Sequence, residues 1–293
     1  MMKFWIKKLG YYAVLIRANR PIGFFLLLWP ALWAIWLASK GQPPLKIVII
    51  FSLGVVLMRS AGCAINDYAD RHIDGLVERT KNRPLVAGLI TAKEALMVFF
   101  ILILAAFVLV LQLDQKTILL SIVAAVLATL YPFMKRWTYL PQLVLGMAFG
   151  WAIPMAFMAI LGELPLITWL LYLSAIIWAL IYDTQYAMVD RADDIKIGVK
   201  STAILFAQYD RLIIALLQLI MMVILVIVGY LYQLNFIYYL ALVVATSLFI
   251  YQQWLIKNRV PALCFKAFLN NNLVGLVIFI GILGGYLKMR LLF

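Results

Sequence analysis

Two groups of acidic residues hold the chemistry that this sequence offers. The first occupies residues 66–74 (NDYADRHID) and the second residues 183–194 (DTQYAMVDRADD), and together they hold seven of the twelve acidic residues in a 293-residue chain that is 67% hydrophobic. Carboxylates packed this closely repel one another unless a cation lies between them, and oxygen ligands suit a hard divalent ion such as magnesium. The pattern therefore indicates an enzyme that handles a magnesium-bound diphosphate.

The spacing within each group is helical. On a helix, Asn66, Asp70 and Asp74 share one face within about 80°. The acids at 183, 190 and 194 repeat the pattern, because steps of seven and eleven residues return to within about 20° of the starting direction. A single acidic cluster is often only a solvated loop, but a solvated loop has no need of helical spacing in two places. We expect the two stripes to face each other across a central cavity.

Basic residues accompany the acids and are candidates to bind a diphosphate or an aromatic acid. Lys135 and Arg136 follow Pro132, where the ring distorts a helix end. Arg59 lies on the first stripe but deeper in the membrane, where an arginine is costly unless it meets an anion or a wet cavity. Retention of basic residues on the cytoplasmic side is the alternative explanation for any one of them. The remaining candidates are Arg17, Arg83 and Lys200.

Long apolar segments must position these side chains. Only 13% of the residues are charged, about half the fraction of a soluble globule. Runs long enough to cross a bilayer, roughly 20 residues each, predict an all-α integral membrane protein with nine transmembrane helices around a central cavity. We expect a single domain over residues 1–293, with a short interfacial helix at 4–16 in the N-terminal segment 1–20. The predicted spans are 21–38, 45–65, 95–112, 117–134, 141–160, 165–189, 212–234, 236–256 and 268–287.

The basic residues also predict an orientation. Nineteen of the twenty-five Lys and Arg residues fall on the side that holds the N-terminus, and basic residues near helix ends are retained in the cytoplasm. The N-terminus and both acidic clusters should therefore be cytoplasmic, and nine spans place the C-terminus outside. The net charge of +13 is explained by this topology and by anionic lipid rather than by nucleic acid.

Six further polar residues carry less weight. Asn270–Asn272 open the last span, where polar residues more often make interhelical hydrogen bonds than line a site. His72 is interpreted as solvated, because magnesium prefers oxygen ligands. Cys63 and Cys264 lie near predicted cytoplasmic ends, where a disulfide is not expected.

Residues Asn66–Asp74 and Asp190–Asp194 resemble the NDxxDxxxD and DxxxD motifs of the UbiA superfamily of intramembrane prenyltransferases. The run YDTQYAMVDR at residues 182–191 resembles the bacterial branch that acts on 4-hydroxybenzoate. One departure is the pair Asn19-Arg20, where relatives commonly have Asp-Lys. Further similar stretches are 17–23, 26–30, 58–70, 82–85, 131–136, 150–157 and 182–203.

The resemblance implies a nine-helix fold with a cavity that opens to the cytoplasmic side and laterally to lipid, in the bacterial inner membrane. The implied reaction transfers a polyprenyl group from polyprenyl diphosphate to the ring carbon ortho to the hydroxyl of 4-hydroxybenzoate, in ubiquinone biosynthesis. The implied cofactor is Mg²⁺, and neither nucleic acid nor an obligate protein partner is expected. The resemblance assigns metal and diphosphate binding to Asn66, Asp70, Asp74, Asp190 and Asp194, and anion or aromatic-acid binding to Lys135 and Arg136.

Two roles stay open at this point. Asp190 or Asp183 is the hypothetical acceptor of the phenolic proton, and Arg136 is the first choice to hold the substrate carboxylate, with Arg59 or Arg17 in reserve. The alternatives are another acceptor, such as homogentisate or a naphthoate, or a membrane transporter. Against a transporter, nearly all the acids lie at one face of the membrane.

Overall fold

The structure is a computed structural model that describes residues 2–76 and 80–287, with side chains from residue 7 onward. The regular elements of the described residues are helices, and no strand occurs among them. The α-helices are α1 (Met2–Leu15), α2 (Ile22–Ala38), α3 (Leu45–Asp70), α4 (Ala92–Val110), α5 (Gln115–Trp137), α6 (Pro141–Gly150), α7 (Ala152–Leu161), α8 (Leu166–Ile197), α9 (Thr202–Phe206), α10 (Asp210–Leu231), α11 (Phe236–Leu255) and α12 (Pro261–Gly285).

The predicted membrane spans are found as apolar helices. Within the described residues, eight helical segments are long and apolar enough to cross a membrane, and α2 is a shorter apolar helix of 17 residues. The predicted interfacial segment corresponds to α1. The predicted outer C-terminus falls at residues 288–293, outside the described part of the chain, and a single domain over 1–293 stays a prediction.

One predicted span is a pair of helices. The segment predicted at 141–160 is interrupted at Trp151, between α6 and α7. Pro154 is the third residue of α7. Because proline has no backbone N–H, it cannot donate the helical hydrogen bond to the carbonyl four residues earlier, at the end of α6. The indole Nε1 of Trp151 donates instead to the carbonyl of Leu120 on α5, at 2.9 Å. This hydrogen bond therefore holds the junction of α6 and α7 against α5.

Close packing at the centre of the bundle joins α2, α8 and α12. The rings of Trp33 and Trp178 lie 5.2 Å apart, and Trp33 Nε1 donates to the carbonyl of Gly275. A methyl group at Gly275 would lie 2.4 Å from Trp29 and 2.7 Å from Trp178. Glycine is required there because two indoles occupy the space of its side chain.

The other side of the bundle is thin. Helix α4 packs along α3 but contacts α5 over a short stretch only. Few side chains of α4 and α5 are buried, and many of the apolar ones are exposed. In a membrane this exposed apolar surface faces lipid. Helices α3, α4 and α5 therefore enclose space beside the well-packed core.

An ion cluster fixes the acid-bearing end of the bundle. Asp210 at the start of α10 is fully buried and pairs with Arg259 at 2.7 Å and with Arg191 of α8 at 2.5 Å. The backbone N–H of Arg211 also donates to this carboxylate. The cluster ties α8 to the loops that precede α10 and α12.

Candidate active site

Two cavities meet at the acid-bearing end. The apolar cavity has a volume of about 470 Å³ and runs between α2, α3, α4, α5 and α7. The polar cavity has a volume of about 170 Å³ and lies among the ends of α3, α5 and α8. Five side chains line both cavities, so the two cavities adjoin each other. The shared residues are Asn66, Arg83, Tyr131, Asp183 and Tyr186.

The polar cavity brings the two acidic groups together. Asp70 from α3 and Asp194 from α8 line the same cavity, so the two stripes face each other as the spacing predicted. Every acid or amide singled out from the sequence as a metal ligand or as a proton acceptor lies on its wall. These residues are Asn66, Asp70, Asp74, Asp183, Asp190 and Asp194.

The position of Asp74 corrects the sequence analysis. Helix α3 ends at Asp70, so Asp74 does not continue the helical stripe and lies in a 3₁₀ turn, Asp74–Leu76. The N–H of Ile73 bonds to the carbonyl of Asp70 at 2.7 Å, which is the tighter spacing of a 3₁₀ turn. Thr80 Oγ1 donates to the Asp74 carbonyl at 2.7 Å. The chain therefore folds back after α3, and this turn places Asp74 on the wall of the polar cavity.

Burial makes the first acidic group electrostatically costly. Asp70 is 2% exposed and pairs with Lys135, and Asp74 pairs with Arg83 at 2.5 Å. Burial raises the pKa of Asp74 above its ordinary value, the neighbouring carboxylates of Asp70 and Asp67 raise it further, and Arg83 opposes them. Added positive charge in the cavity would stabilise the ionised carboxylates.

The donor set fits a hard divalent cation. All the candidate ligands are oxygens, and the buried Oδ1 of Asp70 has no hydrogen-bond partner. Within residues 2–76 and 80–287, no three His, Cys, Asp or Glu side chains converge as a ready metal cluster. Magnesium is usually held by one or two carboxylates together with water and substrate phosphate oxygens, rather than by a protein cage. Opposed carboxylates with a gap between them suit that arrangement.

Three of the predicted cations lie on the polar cavity. Lys135 and Lys200 line it, and the backbone N–H of Lys200 bonds to the Lys135 carbonyl at 3.2 Å, which joins the end of α5 to the segment before α9. Arg83 lines both cavities and bonds to Asp67 at 2.9 Å as well as to Asp74. These three cations can meet an anion bound between the acids.

Arg136 is not placed as the sequence analysis preferred. It lines neither cavity: its guanidinium donates to the carbonyl of Ala69 and lies over the ring of Phe133. The reason is helical geometry, because adjacent residues point about 100° apart and Lys135 takes the cavity direction. Arg136 therefore braces the end of α3 against α5.

Arg59, a reserve candidate, lies on the apolar cavity with Asp183 and Tyr182. Its Nη1 donates to Cys63 Sγ at 2.8 Å, and its buried Nε has no hydrogen-bond partner. A methyl group at Gly23 would lie 2.4 Å from Nε, so this glycine gives the guanidinium its space. An arginine with unused donor capacity inside a membrane bundle fits an anionic ligand.

Arg17 and Asp67 form a further part of the wall. Arg17 has a left-handed backbone (φ 60°) and donates to Asp67 at 2.7 Å. Asp67 is 1% exposed, receives Arg83 as well, and was given no role by the spacing analysis. Its place next to Asn66 in the first cluster was the available signal. Asp67 joins the N-terminal segment to the loop that carries Arg83.

The remaining polar residues lie as the sequence predicted. His72 is exposed, and Cys63 and Cys264 are free thiols, as expected. Each amide of Asn270–Asn272 bonds to a side chain of another helix, which confirms their predicted interhelical role.

A helical membrane bundle in which an acid-lined cavity adjoins an apolar one has the architecture of an enzyme for lipid-linked diphosphates. The chain belongs to the UbiA prenyltransferase family, whose profile matches residues 27–280.

Two kinds of relative support the assignment. The chain is 61% identical over 272 residues to a 4-hydroxybenzoate octaprenyltransferase of Tolumonas auensis, covering 93% of this chain and 95% of that protein. The apo structure of a UbiA homologue from Aeropyrum pernix K1 superposes with a TM-score of 0.78 at 25% identity, covering 88% of this chain and 96% of that one. A UbiA homologue from Archaeoglobus fulgidus bound to GPP and Mg²⁺ shares the fold, with a TM-score of 0.69 at 18% identity over 93% and 99% of the two chains.

Proposed function

We propose that this chain transfers a polyprenyl group from polyprenyl diphosphate to the ring carbon ortho to the hydroxyl of 4-hydroxybenzoate, giving 3-polyprenyl-4-hydroxybenzoate and diphosphate for ubiquinone biosynthesis. The observation that carries the proposal is the 61% identity, over nearly the whole chain, to the 4-hydroxybenzoate octaprenyltransferase of Tolumonas auensis. The adjoining polar and apolar cavities match a substrate with a charged head and an apolar tail.

The diphosphate head belongs in the polar cavity. We assign metal and diphosphate binding to the amide and carboxylates of the two motifs, with Lys135, Arg83 and Lys200 donating to phosphate oxygens. When bound, Mg²⁺ supplies positive charge that offsets the charge growing on the departing diphosphate. The GPP and Mg²⁺ bound to the Archaeoglobus fulgidus homologue support this assignment. The assigned ligands are Asn66, Asp70, Asp74, Asp190 and Asp194.

The prenyl chain belongs in the apolar cavity. Small side chains of α5 line it across from α4, and the space passes from the acids toward the opposite end of both helices. Departure of diphosphate takes both electrons of the allylic C–O bond and leaves a prenyl cation. Water in this space would convert the cation to an alcohol, so the apolar wall protects the reaction. The residues of α5 on this wall are Ser121, Ala124, Ala125 and Ala128.

The aromatic acid belongs at the junction of the two cavities. Asp183 lines both cavities, whereas Asp190 lines the polar one only, which favours Asp183 as the acceptor of the phenolic proton. Arg59 shares the apolar cavity with Asp183 and can hold the substrate carboxylate. The more electron-rich ring then attacks the cation through its ortho carbon. The proton on that carbon passes to the departing diphosphate, and Asp183 returns its proton to the phenolate oxygen, so that the product is again a phenol.

The test is a transfer assay on purified protein in lipid nanodiscs. With radiolabelled geranyl diphosphate and 4-hydroxybenzoate, we expect label in an aromatic product, loss of the product with EDTA, and recovery with added Mg²⁺. Competing homogentisate and naphthoate acceptors, resolved by mass spectrometry, identify the preferred ring. Preference for another acceptor would refute 4-hydroxybenzoate as the substrate. Transfer that EDTA does not affect would refute the requirement for Mg²⁺.

We infer that the protein is a multi-pass protein of the bacterial inner membrane, with the polar cavity on the cytoplasmic side, because the basic residues concentrate at the end that holds the acids.

A further inference from the structure

The face of α8 that points away from the cavities carries a buried network of amide side chains. Gln185 donates to Gln252 Oε1 of α11 at 2.9 Å and accepts from Asn271 Nδ2 of α12 at 2.8 Å. All three side chains are fully buried. The network continues to Gln218 of α10 and to Asn270, which bond to Gln252 at 3.1 and 3.0 Å. Four helices are therefore joined by directional bonds inside the apolar bundle.

Gln185 lies almost opposite the acidic stripe. At 100° per residue, Asp183, Asp190 and Asp194 lie between about 140° and 180° around α8 from Gln185. Trp178, one heptad earlier, lies within about 20° of Gln185 on the same back face. Anything that holds the back face therefore sets the direction of the acids.

Asn271 holds that back face at two levels. Its Nδ2 donates to Gln185, and its Oδ1 accepts from Trp178 Nε1 at 3.1 Å. Its own helix fixes the amide, because Nδ2 also reaches the carbonyl of Ala267 at 3.0 Å. A bond to each of two levels on one face resists both rotation and sliding of α8, which apolar packing alone resists weakly.

We propose that Gln185 and Asn271 are positioning residues that fix the rotation of α8 and so aim Asp183, Asp190 and Asp194 into the polar cavity. The proposal rests on the proposed function. Neither side chain lines a cavity, so both act through the helix that carries the acids.

A small rotation would matter. A carboxylate about 5 Å from the helix axis moves about 2 Å when the helix turns by 20°. A displacement of about 1 Å in a reacting or ligating group can lower a rate about a hundredfold. Loss of the Gln185 bonds should therefore weaken donor binding and turnover without removing any group that touches substrate.

The experiment compares Gln185→Met with Gln253→Met. Methionine approximates the size of glutamine and makes no comparable hydrogen bond. Gln253 belongs to the same network, donating to Gln218 at 2.9 Å, but it makes no bond to α8. The measurements are the Kd of geranyl thiolodiphosphate with Mg²⁺ and no acceptor, the kcat for transfer, and the melting temperature, all in nanodiscs.

We expect Gln185→Met to raise the Kd and lower kcat by at least about tenfold, and Gln253→Met to stay within about threefold, at similar melting temperatures. Gln185→Glu should recover binding, because a neutral buried carboxylic acid still accepts from Asn271 and donates to Gln252. Equal Kd values for Gln185→Met and Gln253→Met would overturn the proposal. A Gln185→Glu protein as weak as Gln185→Met would also overturn it, because binding would then be lost although both hydrogen bonds are retained.

A second variant decides the matter if Gln185→Met does not fold. Asn271→Leu has a side chain of similar size and removes both bonds to α8, so we expect the same weaker analogue binding. Unchanged binding would overturn the proposal. The analogue assay contains no aromatic acid. A wild-type protein that binds the analogue but does not prenylate 4-hydroxybenzoate would refute the proposed acceptor and leave this inference standing.

Discussion

Arg59 and Arg136 show what spacing can and cannot say about single residues. Both were sequence candidates for the substrate carboxylate, and both lie near the first acidic group. The structure places Arg59 on the apolar cavity and Arg136 on the carbonyl of Ala69. Spacing identified the set of arginines, but the choice between them depends on the direction of each side chain on its helix.

Exchange of Arg59 for lysine tests its proposed role. Lysine keeps the charge and loses the planar fork that matches a carboxylate. We expect Arg59→Lys to raise the KM for 4-hydroxybenzoate about tenfold or more and the KM for the prenyl donor much less. Arg136→Lys is the matched control and should change neither value strongly. Steady-state kinetics that show equal rises in both KM values would instead place Arg59 on the diphosphate.

The two candidate proton acceptors can be separated by isosteric amides. We expect Asp183→Asn to lower kcat by about 10²–10⁴-fold with little change in donor KM, the usual range for removal of a general base. Asp190→Asn should raise the Mg²⁺ concentration needed for half-maximal activity, because its proposed contact is the metal. Full activity in both variants, measured by product formation across a Mg²⁺ titration, would refute the assignment.

At the scale of helices, the apolar runs located the spans to within a few residues, except at the ends of α3 and α8 and at the start of α12, which is Pro261 rather than residue 268. Helix α3 continues five residues and α8 eight residues past their predicted ends, because polar residues there lie in a protein cavity rather than in lipid. The end of an apolar run therefore indicates where the chain leaves the lipid, but the helix can continue beyond it. The turn at Asp74 and the interruption at Trp151 depend on tertiary partners, which spacing alone does not contain.

The ion cluster at Asp210 makes a prediction about helix ends. Removing one partner of a buried ion pair leaves the others without compensation, so Asp210→Asn should destabilise the protein by about 3 kcal/mol. Asp193→Asn is the control, because its partner Lys196 is 73% exposed and such pairs contribute at most about 1 kcal/mol. Unfolding in mixed micelles should show a clearly lower stability for Asp210→Asn alone. Equal stabilities would mean that other contacts hold these helix ends.

At the scale of the whole molecule, the sequence predicted that two distant stretches share one cavity, and they do. The direction of the bundle in the membrane stays a prediction from charge asymmetry.

Reporter fusions test the orientation. Alkaline phosphatase becomes active only outside the cytoplasm, whereas green fluorescent protein fluoresces only when it stays inside. We expect a phosphatase fused after residue 293 to be active, and one fused within residues 257–260 to be inactive. Activity at the second site and none at the first would invert the topology and place the polar cavity outside the cell.

The thin wall of α4 and α5 has a consequence for how the protein meets its substrates. A long isoprenoid is larger than the 470 Å³ beside α3, so the part that does not fit must remain dissolved among acyl chains during catalysis. Encounter with the donor is then a two-dimensional process, governed by the donor's mole fraction in the bilayer rather than by molarity. Adding vesicle lipid at a fixed amount of donor lowers the donor's mole fraction in the bilayer, so we expect the rate of transfer to fall.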